Sequence, residues 1–571
     1  MRSKLFAVVA GVFLIVGSID LRAQTYARNG MVVSANKIAS QVGADILQKG
    51  GNVIDATVAT AFSLAVVHPT AGNIGGGGFI VYMSASGETT TFDFREKAPL
   101  AATPDMYLDE NGALIKGINH TGRNSTANHF GLKSVGVPGT VAGLYMAHQK
   151  YGNLPWADLV QPAIDLAEKG FPMTWSLYQA GTYFKENSPV EFLQKYFNDD
   201  NGQITEFGAL WKQPELANTL SIIRDNGHDG FYKGKVAKTI ARYMKENDGL
   251  ITTKDLAQYQ AIERKPLSST YKDYTIYSMP PPSSGGVALI EMMNLIEQAD
   301  MENIEYNSAG YVHLLAEVMR RAFADRAEYL GDPDFNPEMP VDKLISKDFA
   351  KKRFPGIDMS KASPSDSSRY GQLYDGTSTT HFSVMDSEGN AVSMTYTLEH
   401  GYGSGMGSPE LGFIFNNEMG DFNPIPDQED YYPGYNGSVA NEIRPEKRML
   451  SSMTPTIVAK DGKPYLVIGS PGGKTIINTV FQTVLGVVEY DMPVNKAIEA
   501  LKIHHQWLPD RLTYERDKLS PDTRAILEGM GHTLVPRTSL GALMGIQWDA
   551  ENKVLIGAAD SSRPDGAAIG Y

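Results

Sequence analysis

The stretch that decides the fold is Thr379-Thr-His-Phe-Ser-Val-Met-Asp-Ser-Glu-Gly-Asn-Ala-Val-Ser-Met-Thr-Tyr-Thr397. Two runs of strand-forming residues, 380–385 and 391–397, alternate in polarity, and Ser387-Glu-Gly-Asn390 separates them. A four-residue polar link with glycine between two such runs is typical of a β-hairpin. We therefore expect a hairpin two-thirds of the way along the chain, with Thr379 at its opening and Thr397 at its end.

Outward from this hairpin, strands and helices follow one another in layers. Apolar periodicity predicts helices at 36–50, 53–67, 287–298, 311–330, 475–490 and 493–501, and strands at 79–83, 89–94, 414–415, 456–459 and 465–468. Four successive glycines, residues 75–78, suit a backbone that passes close to another element. Strands packed beneath helices predict an α+β fold with an αββα arrangement.

Composition excludes several classes of function. The 571 residues carry a formal net charge of −14, which argues against non-specific binding to nucleic acid and to anionic membranes. The chain has no cysteine, so it can form no disulfide and has no cysteine nucleophile or lipidated N-terminal cysteine. We therefore expect a chain with no nucleic-acid partner and no stable membrane association.

The N-terminus has the features of a secretory signal peptide. Arg2 and Lys4 precede an apolar run over residues 5–16, and Ala23 offers a small residue for cleavage. The run is shorter than the roughly 20 residues that a membrane-spanning helix requires. We expect a signal peptide over residues 1–23 and a periplasmic or secreted protein, and a retained N-terminal anchor is the alternative.

Several familiar catalytic motifs are incomplete in this sequence or absent from it. Gly469-Ser-Pro-Gly-Gly-Lys-Thr475 resembles a phosphate-binding loop, but Ile468 stands where its first glycine is required. Neither a Gly-x-Ser-x-Gly elbow nor a His-Glu-x-x-His motif occurs in the sequence. The residues therefore predict neither a metal ion nor another cofactor.

Separated motifs, in order along the chain, carry a family resemblance. They are Asn73 to Phe79, Asp93-Phe-Arg-Glu-Lys-Ala-Pro99, Pro138-Gly-Thr-Val-Ala-Gly143, the hairpin with Thr379-Thr-His381, Leu450-Ser-Ser-Met453, Gly469-Ser-Pro-Gly-Gly473 and His504-His-Gln-Trp-Leu-Pro509. Together they resemble the γ-glutamyltranspeptidases (glutathione hydrolases) of the N-terminal-nucleophile hydrolase superfamily. The resemblance covers nearly the whole chain after the signal peptide.

The resemblance implies a precursor that cuts itself. Thr379 would attack the Ser378–Thr379 peptide bond, which divides the chain into a large subunit, 24–378, and a small subunit, 379–571. The two subunits would jointly form the four-layer αββα sandwich of this superfamily. The new α-amine of Thr379 has an ordinary pKa of about 7.7–8, so it can take the proton from the threonine hydroxyl.

The resemblance also implies roles in binding and catalysis. A γ-glutamyl donor such as glutathione would pass its acyl group through Thr379 to water or to an amino acid or peptide. The implied substrate contacts are Arg95, Ser451 and Ser452 for the α-carboxylate and Glu418 and Asp421 for the α-ammonium, with Thr397 beside the nucleophile and Gly472 and Gly473 as the oxyanion hole. Two adjacent glycines allow backbone N–H groups to approach an oxyanion closely.

One position departs from the family pattern. Many bacterial members have asparagine where this chain has Glu399, and an added carboxylate changes the charge near the donor ammonium. Residues 423–448, rich in proline and tyrosine, are expected to form a lid whose Tyr432 meets residue 399. Two alternatives remain open: a glutaryl- or cephalosporin-type acylase on the same scaffold, and a binding paralogue without catalysis.

Overall fold

The structure is a computed structural model that describes residues 24–365, 379–426 and 439–571. The expected signal peptide, 1–23, lies outside the described residues. Ser378, the residue expected before the cleaved bond, and Tyr432, the expected lid tyrosine, also lie outside them. Thr379 and the other expected site residues are described.

The strands of the described residues occur in both halves of the chain. In chain order they are β1 Gln24–Ala27, β2 Gly30–Ser34, β3 Gly77–Met83, β4 Thr89–Asp93, β5 Lys116–Ile118, β6 Asn124–Thr126, β7 Phe171–Pro172, β8 Leu210–Trp211, β9 Ile262–Arg264, β10 Leu267–Tyr271, β11 Tyr274–Ser278, β12 Thr379–Asp386, β13 Ala391–Thr397, β14 Thr456–Lys460, β15 Lys463–Gly469, β16 Ile503–His504, β17 Leu512–Glu515, β18 Leu534–Arg537, β19 Met544–Asp549, β20 Val554–Ala559 and β21 Ala567–Gly570.

Two seven-stranded antiparallel sheets form the centre of the molecule. The first has the order β1-β20-β19-β15-β14-β11-β10, and the second has the order β21-β2-β12-β13-β3-β4-β9. Both sheets combine strands from before and after residue 379. In the first sheet β20 pairs with β1 and β14 with β11, and in the second β12 pairs with β2 and β13 with β3. A cut before residue 379 would therefore leave two pieces that share both sheets.

The helices lie on the outer faces of the two sheets and in the segments between strands. They are α1 Lys37–Gln48, α2 Val53–Val67, α3 Thr140–Tyr151, α4 Trp156–Lys169, α5 Trp175–Asn187, α6 Glu191–Tyr196, α7 Pro214–Asn226, α8 His228–Tyr232, α9 Gly234–Glu246, α10 Thr253–Gln258, α11 Gly285–Ile296, α12 Ala309–Tyr329, α13 Val341–Leu344, α14 Lys347–Arg353, α15 Thr475–Glu489, α16 Val494–Glu499 and α17 Pro521–Gly529. Among these described helices, none combines the length and the apolar character that crossing a membrane requires.

Alternation of side chains along β12 divides the core into layers. Val384 packs with α2 on the outer side of the second sheet, and Met385 faces the first sheet. Helices α11, α15 and α16 cover the far side of the first sheet. The expected α+β fold with four αββα layers is therefore confirmed.

The glycine run and most of the expected elements agree with the structure. A Cβ on Gly76 would lie 2.0 Å from the carbonyl oxygen of Thr397, and one on Gly78 would lie 2.4 Å from that of Thr395. These glycines thus let β3 and the turn before it approach the hairpin. The expected strand at 414–415 is wrong, because Ile414 forms only an isolated bridge with Gly407.

The two described parts of the expected lid, 423–448, are hydrogen-bonded to each other. The N–H of Asn423 donates to the carbonyl oxygen of Asn441 at 2.9 Å, and Asn423 forms a parallel bridge with Glu442. The side chain of Asn441 then donates to the carbonyl oxygen of Asp421 at 2.7 Å and accepts from the N–H of Leu450 at 2.9 Å. Asn441 therefore ties the base of this segment to two segments that carry expected site residues.

Candidate active site

Strand register places two threonine hydroxyls side by side. Thr379 and Thr397 are directly opposite in the β12–β13 pair, and their Oγ1 atoms are 3.4 Å apart. Thr397 Oγ1 also accepts from the N–H of Glu399 at 2.8 Å. Both threonines are buried, with 7% of Thr379 and 2% of Thr397 exposed, so a hydroxyl nucleophile here is shielded from bulk water.

The hairpin turn fixes this register. Asp386 Oδ1 accepts from the N–H groups of Glu388, Gly389 and Asn390 at 3.0, 3.0 and 2.9 Å. A one-residue slip would send every side chain of a strand to the opposite face. The turn therefore contributes to the site from a distance by keeping Thr379 opposite Thr397.

The glycine pair lies between β15 and α15, in a backbone shape that favours glycine. Gly472 has a φ of +136° and Gly473 a φ of +58°. In the described part of the chain, neither of their N–H groups finds a hydrogen-bond acceptor. Two unpaired N–H groups at the start of a helix form a favourable environment for an oxyanion.

Arg95, just after β4, is buried among carboxyl groups. Its guanidinium donates to Glu418 through Nη1 and to Asp421 Oδ2 through Nη2 at 2.5 Å. It also donates to the carbonyl oxygens of Met449 and Leu450, at 3.3 and 3.2 Å. The expected cation and the two expected anions therefore form one ion-paired cluster, where the sequence had assigned them to opposite charges of a substrate.

The cluster holds more carboxyl groups than cations, and burial changes how they titrate. Burial raises the pKa of Glu96 to about 8, although nearby Arg95 acts in the opposite direction. Burial likewise raises the pKa of Glu418 well above its ordinary value, again against the effect of Arg95. One oxygen of Glu418, Oε2, has no hydrogen-bond partner among the described residues. An added cation in this cavity would find acceptors that are not yet paired.

Glu399 takes a strained position between the hydroxyls and this cluster. Its φ is +74°, which is uncommon for a residue with a side chain. Its Oε1 lies 2.9 Å from His129 Nδ1 and 3.9 Å from His400 Nε2. Burial raises the pKa of Glu399 to about 8 and lowers the pKa of His129 to about 4. The contact is not aligned as a hydrogen bond, and His129 Nδ1 has no hydrogen-bond partner among the described residues.

His129, Glu399 and His400 are also the group of described residues whose ligand atoms come close enough to hold a metal ion, within 4.8 Å of one another. Asn417 decides which nitrogen of His400 is available. Asn417 Nδ2 donates to the ring nitrogen Nδ1 of His400 at 2.9 Å, and Asn417 Oδ1 accepts from the backbone N–H of His400 at 3.1 Å. His400 therefore carries its proton on Nε2, the nitrogen nearest Glu399, and this tautomer does not suit a metal ligand there.

One partly open cavity of about 60 Å³ brings the expected residues together. Its lining includes Arg95, Thr379, Thr397, Glu399, Glu418, Asp421, Ser451, Ser452 and Gly473. Gly472 adjoins it, whereas Ser378 and Tyr432 lie outside the described residues. The cavity has room for a few water molecules, at about 15 Å³ each, or for a small polar group.

The same cavity includes residues that the sequence did not single out. They are His129, Arg326, His400, Gly420, Lys474 and Ile476. His400 and Lys474 adjoin expected residues, so proximity along the chain was a usable signal for them. His129 and Arg326 come from segments far from the motifs, and only the folded chain brings them to the cavity.

Comparison with known proteins gives consistent matches over most of the chain. The family model for gamma-glutamyltranspeptidase matches residues 39–571. The glutathione hydrolase proenzyme of Escherichia coli K12 is 44% identical over 548 residues, which are 95% of this chain and 92% of that protein. The corresponding proenzyme of Bacillus subtilis 168 is 40% identical over 561 residues, 95% of this chain and 92% of that protein.

Among solved structures, a cephalosporin acylase from Bacillus halodurans has a similar fold over the whole molecule. Its TM-score is 0.83 at 25% identity, and the match covers 100% of this chain and 99% of that one. Two activities are therefore named among proteins similar to this chain, and the charged residues of the cavity bear on the choice between them.

Proposed function

The chain belongs to the γ-glutamyltranspeptidase family, and from this premise we propose that it is a glutathione hydrolase and γ-glutamyltransferase. The precursor cuts itself between Ser378 and Thr379 into a large subunit, 24–378, and a small subunit, 379–571. The observation that carries the proposal is the position of Thr379, buried opposite Thr397 and at the edge of a cavity lined by charged groups.

In the proposed reaction, Thr379 Oγ1 attacks the carbonyl carbon of a γ-glutamyl amide. The free α-amine of Thr379 takes the hydroxyl proton, and the N–H groups of Gly472 and Gly473 stabilise the oxyanion. The C–N bond then breaks, and the leaving amine takes that proton. Water or the amine of an amino acid or peptide attacks the resulting ester, which releases glutamate or a new γ-glutamyl amide and frees Thr379.

Selection of the donor falls to the charged end of the cavity. The α-carboxylate is bound by Arg95, Ser451 and Ser452, and the α-ammonium by Glu418 and Asp421. In the structure Arg95 pairs with these two carboxyl groups itself. A donor head with one negative and one positive group can replace that internal pair with two matched ones, so little buried charge is left uncompensated.

The proposal is tested first by the products of processing and then by a panel of donors. Intact mass and N-terminal sequencing are expected to show two pieces, with the smaller beginning Thr-Thr-His. The two-piece enzyme should cleave L-γ-glutamyl-p-nitroanilide and glutathione. A chain that stays whole and inert toward both compounds would support the alternative of a binding paralogue.

The acylase alternative has a specific observation in its favour, the whole-chain likeness to a cephalosporin acylase. A glutaryl group keeps the carboxylate of glutamate but lacks its ammonium. Glu418, Asp421 and Glu399 would then face no cation from the substrate, which argues for the γ-glutamyl donor. Faster cleavage of glutaryl-p-nitroanilide than of the γ-glutamyl compound would overturn this choice.

The proposal extends to parts of the chain outside the described residues. Residues 1–23 direct export to the periplasm or the medium, and Tyr432 closes over residue 399 as part of the lid, 423–448. Sequencing the large subunit of the exported protein tests the first statement, with Gln24 as its expected first residue. A Tyr432→Ala variant with unchanged KM for the γ-glutamyl donor would contradict the second.

A further inference from the structure

We propose that Arg326 is a positioning residue that turns the hydroxyl of Ser452 toward the α-carboxylate of the donor. The inference rests on the proposed function and deepens it, because it assigns part of the donor selectivity to a residue of α12 that no motif includes. Arg326 is 4% exposed and lines the cavity beside Ser451 and Ser452.

Arg326 bridges two serines that belong to different segments. Its Nε donates to Ser284 Oγ at 2.8 Å, and its Nη2 donates to Ser452 Oγ at 2.9 Å. Ser284 Oγ in turn donates to the carbonyl oxygen of Ser451 at 2.6 Å, and its N–H reaches the same oxygen at 2.8 Å. The guanidinium thus joins α12, the start of α11 and the serine pair.

The direction of these bonds fixes what the serine hydroxyl can do. A guanidinium only donates, whereas a hydroxyl has one hydrogen and two acceptor lone pairs. Ser452 Oγ must therefore accept from Arg326, and its own hydrogen remains for an acceptor in the cavity. A carboxylate can accept this hydrogen and an ammonium cannot, so the bond from Arg326 directs the Ser452 hydroxyl hydrogen toward an anion.

The hydroxyl of Ser451 is oriented in the same way, by backbone groups around it. Its Oγ accepts from the N–H of Met453 at 3.1 Å, and its N–H donates to the carbonyl oxygen of Pro282 at 2.9 Å. Both hydroxyls of the pair therefore accept one hydrogen bond from within the protein. Each can offer its hydrogen to a carboxylate in the cavity that both serines line with Arg95.

The test compares two donors that differ only in the α-carboxylate, L-γ-glutamyl-p-nitroanilide and 4-aminobutanoyl-p-nitroanilide. Arg326→Gln and Ser452→Ala should each lower kcat/KM for the γ-glutamyl donor by about tenfold, mainly through KM. Neither should change kcat/KM for the truncated donor by more than about twofold. Competition by free L-glutamate and by 4-aminobutanoate repeats the comparison without turnover.

A double-mutant cycle separates positioning from general stabilisation. If Arg326 acts through Ser452, the Arg326→Gln/Ser452→Ala enzyme should be no worse than the poorer single variant. Arg326→Lys should recover only part of the loss, because an ammonium lacks the fork that reaches both hydroxyls. Additive losses, equal losses on both donors, or full recovery by lysine would each overturn the inference.

Arg321, also on α12, supplies the matched control, because it pairs with Glu317 and does not line the cavity. Arg321→Gln should leave the ratio of the two donors unchanged. Formation of two subunits by every variant shows that folding and processing survive. A wild-type enzyme inert toward γ-glutamyl donors would instead refute the proposed function and the inference together, which is a distinguishable result.

Discussion

The two ends of the cavity are built in different ways. At the proposed acyl-transfer end, Thr379 and Thr397 meet because β12 and β13 are paired in one register, and Gly472 and Gly473 contribute backbone N–H groups. At the proposed head-recognition end, charged side chains that are mostly buried come from separate segments and pair with one another. One end depends on the backbone, and the other depends on side-chain electrostatics.

This difference predicts which properties of the enzyme a substitution at each end should change. Backbone pairing holds the hydroxyls in place whether or not a donor is present, so changes there should affect the chemical step. The charged end balances burial cost against ion pairing, so changes there should affect donor binding, stability and pH dependence together. Substitutions at four positions test this contrast, taken from the largest expected effect to the smallest.

The largest effect is expected at Thr379. Thr379→Ala removes the nucleophile of both proposed reactions, so the chain should remain whole, and activity should fall by at least about 10⁴-fold. Gel electrophoresis, intact mass and p-nitroaniline release measure the two outcomes. Two subunits from this variant would refute Thr379 as the processing nucleophile.

Thr380 gives a control one residue away on the other face of β12. It is fully buried, and its Oγ1 has no hydrogen-bond partner among the described residues. Thr380→Val keeps the shape and removes only that hydroxyl, so processing and kcat should stay within about threefold of wild type. Loss of processing in this variant would mean that any change in β12 prevents processing. The Thr379→Ala result would then no longer identify Thr379 as the nucleophile.

The next largest effect is expected at Gly472. A Cβ on Gly472 would lie 2.5 Å from Thr475 Oγ1, and the φ of +136° is unfavourable for alanine. Gly472→Ala should misplace the N–H groups and lower kcat by about 10²–10³-fold, as for loss of an oxyanion donor. Steady-state and burst kinetics on a processed sample would show whether acylation is the step that slows.

Gly462 is a matched control for backbone strain alone. Its φ is +74°, and a Cβ there would meet nothing within 4 Å, in the turn between β14 and β15. Gly462→Ala should lower the thermal midpoint slightly and leave kcat unchanged. If it reduced kcat as much as Gly472→Ala does, strain in the first sheet would explain both results, and the oxyanion role would be rejected.

At the charged end, substitutions of Arg95 should affect both donor binding and the stability of the fold. Arg95→Lys keeps the charge but loses the planar fork, so the donor KM should rise by about 10–100-fold with a smaller change in kcat. Arg95→Gln leaves Glu418 and Asp421 without their cation and should destabilise the fold by about 3–5 kcal/mol. Donor titrations and denaturant unfolding measure the two effects.

An exposed arginine pair provides the comparison for Arg95. Arg242 pairs with Glu410, and both side chains are more than half exposed. Arg242→Gln should change stability by less than about 1 kcal/mol and leave KM unaltered. An Arg95→Lys enzyme with wild-type KM would show that the cluster is structural, and the two ends would then no longer differ in the way proposed.

The same contrast explains how much the sequence could predict. The hairpin, the helices around it and the close glycine approach follow from local patterns, because polarity alternation and turn residues act over a few positions. The motifs also singled out Thr397 and Gly473, which line one cavity with Thr379 in the structure. Local patterns therefore predicted the hairpin that carries Thr379 and Thr397, and the family resemblance supplied the roles proposed for these residues.

The charged end could be predicted only in part. The sequence named Arg95, Glu418 and Asp421, but not that they pair with one another, since that depends on distances across more than 320 positions in the chain. It also gave no signal for His129, which approaches Glu399 from the short helical turn Ala127–His129. The single strand predicted wrongly, at 414–415, shows the same limit, because its partners are loops.

The smallest effect, and the sharpest test of the contrast, is expected at Glu399. It faces His129, His400, Arg95 and Asp421, and its folded pKa of about 8 exceeds the ordinary value of 4.5. Between these two values Glu399 holds a proton in the folded chain that it has lost in the unfolded chain, so its contribution to wild-type stability falls as pH rises from about 4.5 to 8. The side chain in Glu399→Gln is uncharged at every pH, so this variant does not lose stability in this way as the pH rises.

The thermal midpoint of Glu399→Gln relative to wild type should therefore rise from pH 5 to pH 8, by about 1–2 °C per pH unit, and level off above pH 8. Glu388→Gln, in the exposed turn of the same hairpin, should give a flat difference over this range. A flat difference at Glu399 would mean that its carboxyl is already ionised and shared with the histidines. Burial would then not govern this end of the cavity, and the distinction between the two ends would rest on geometry alone.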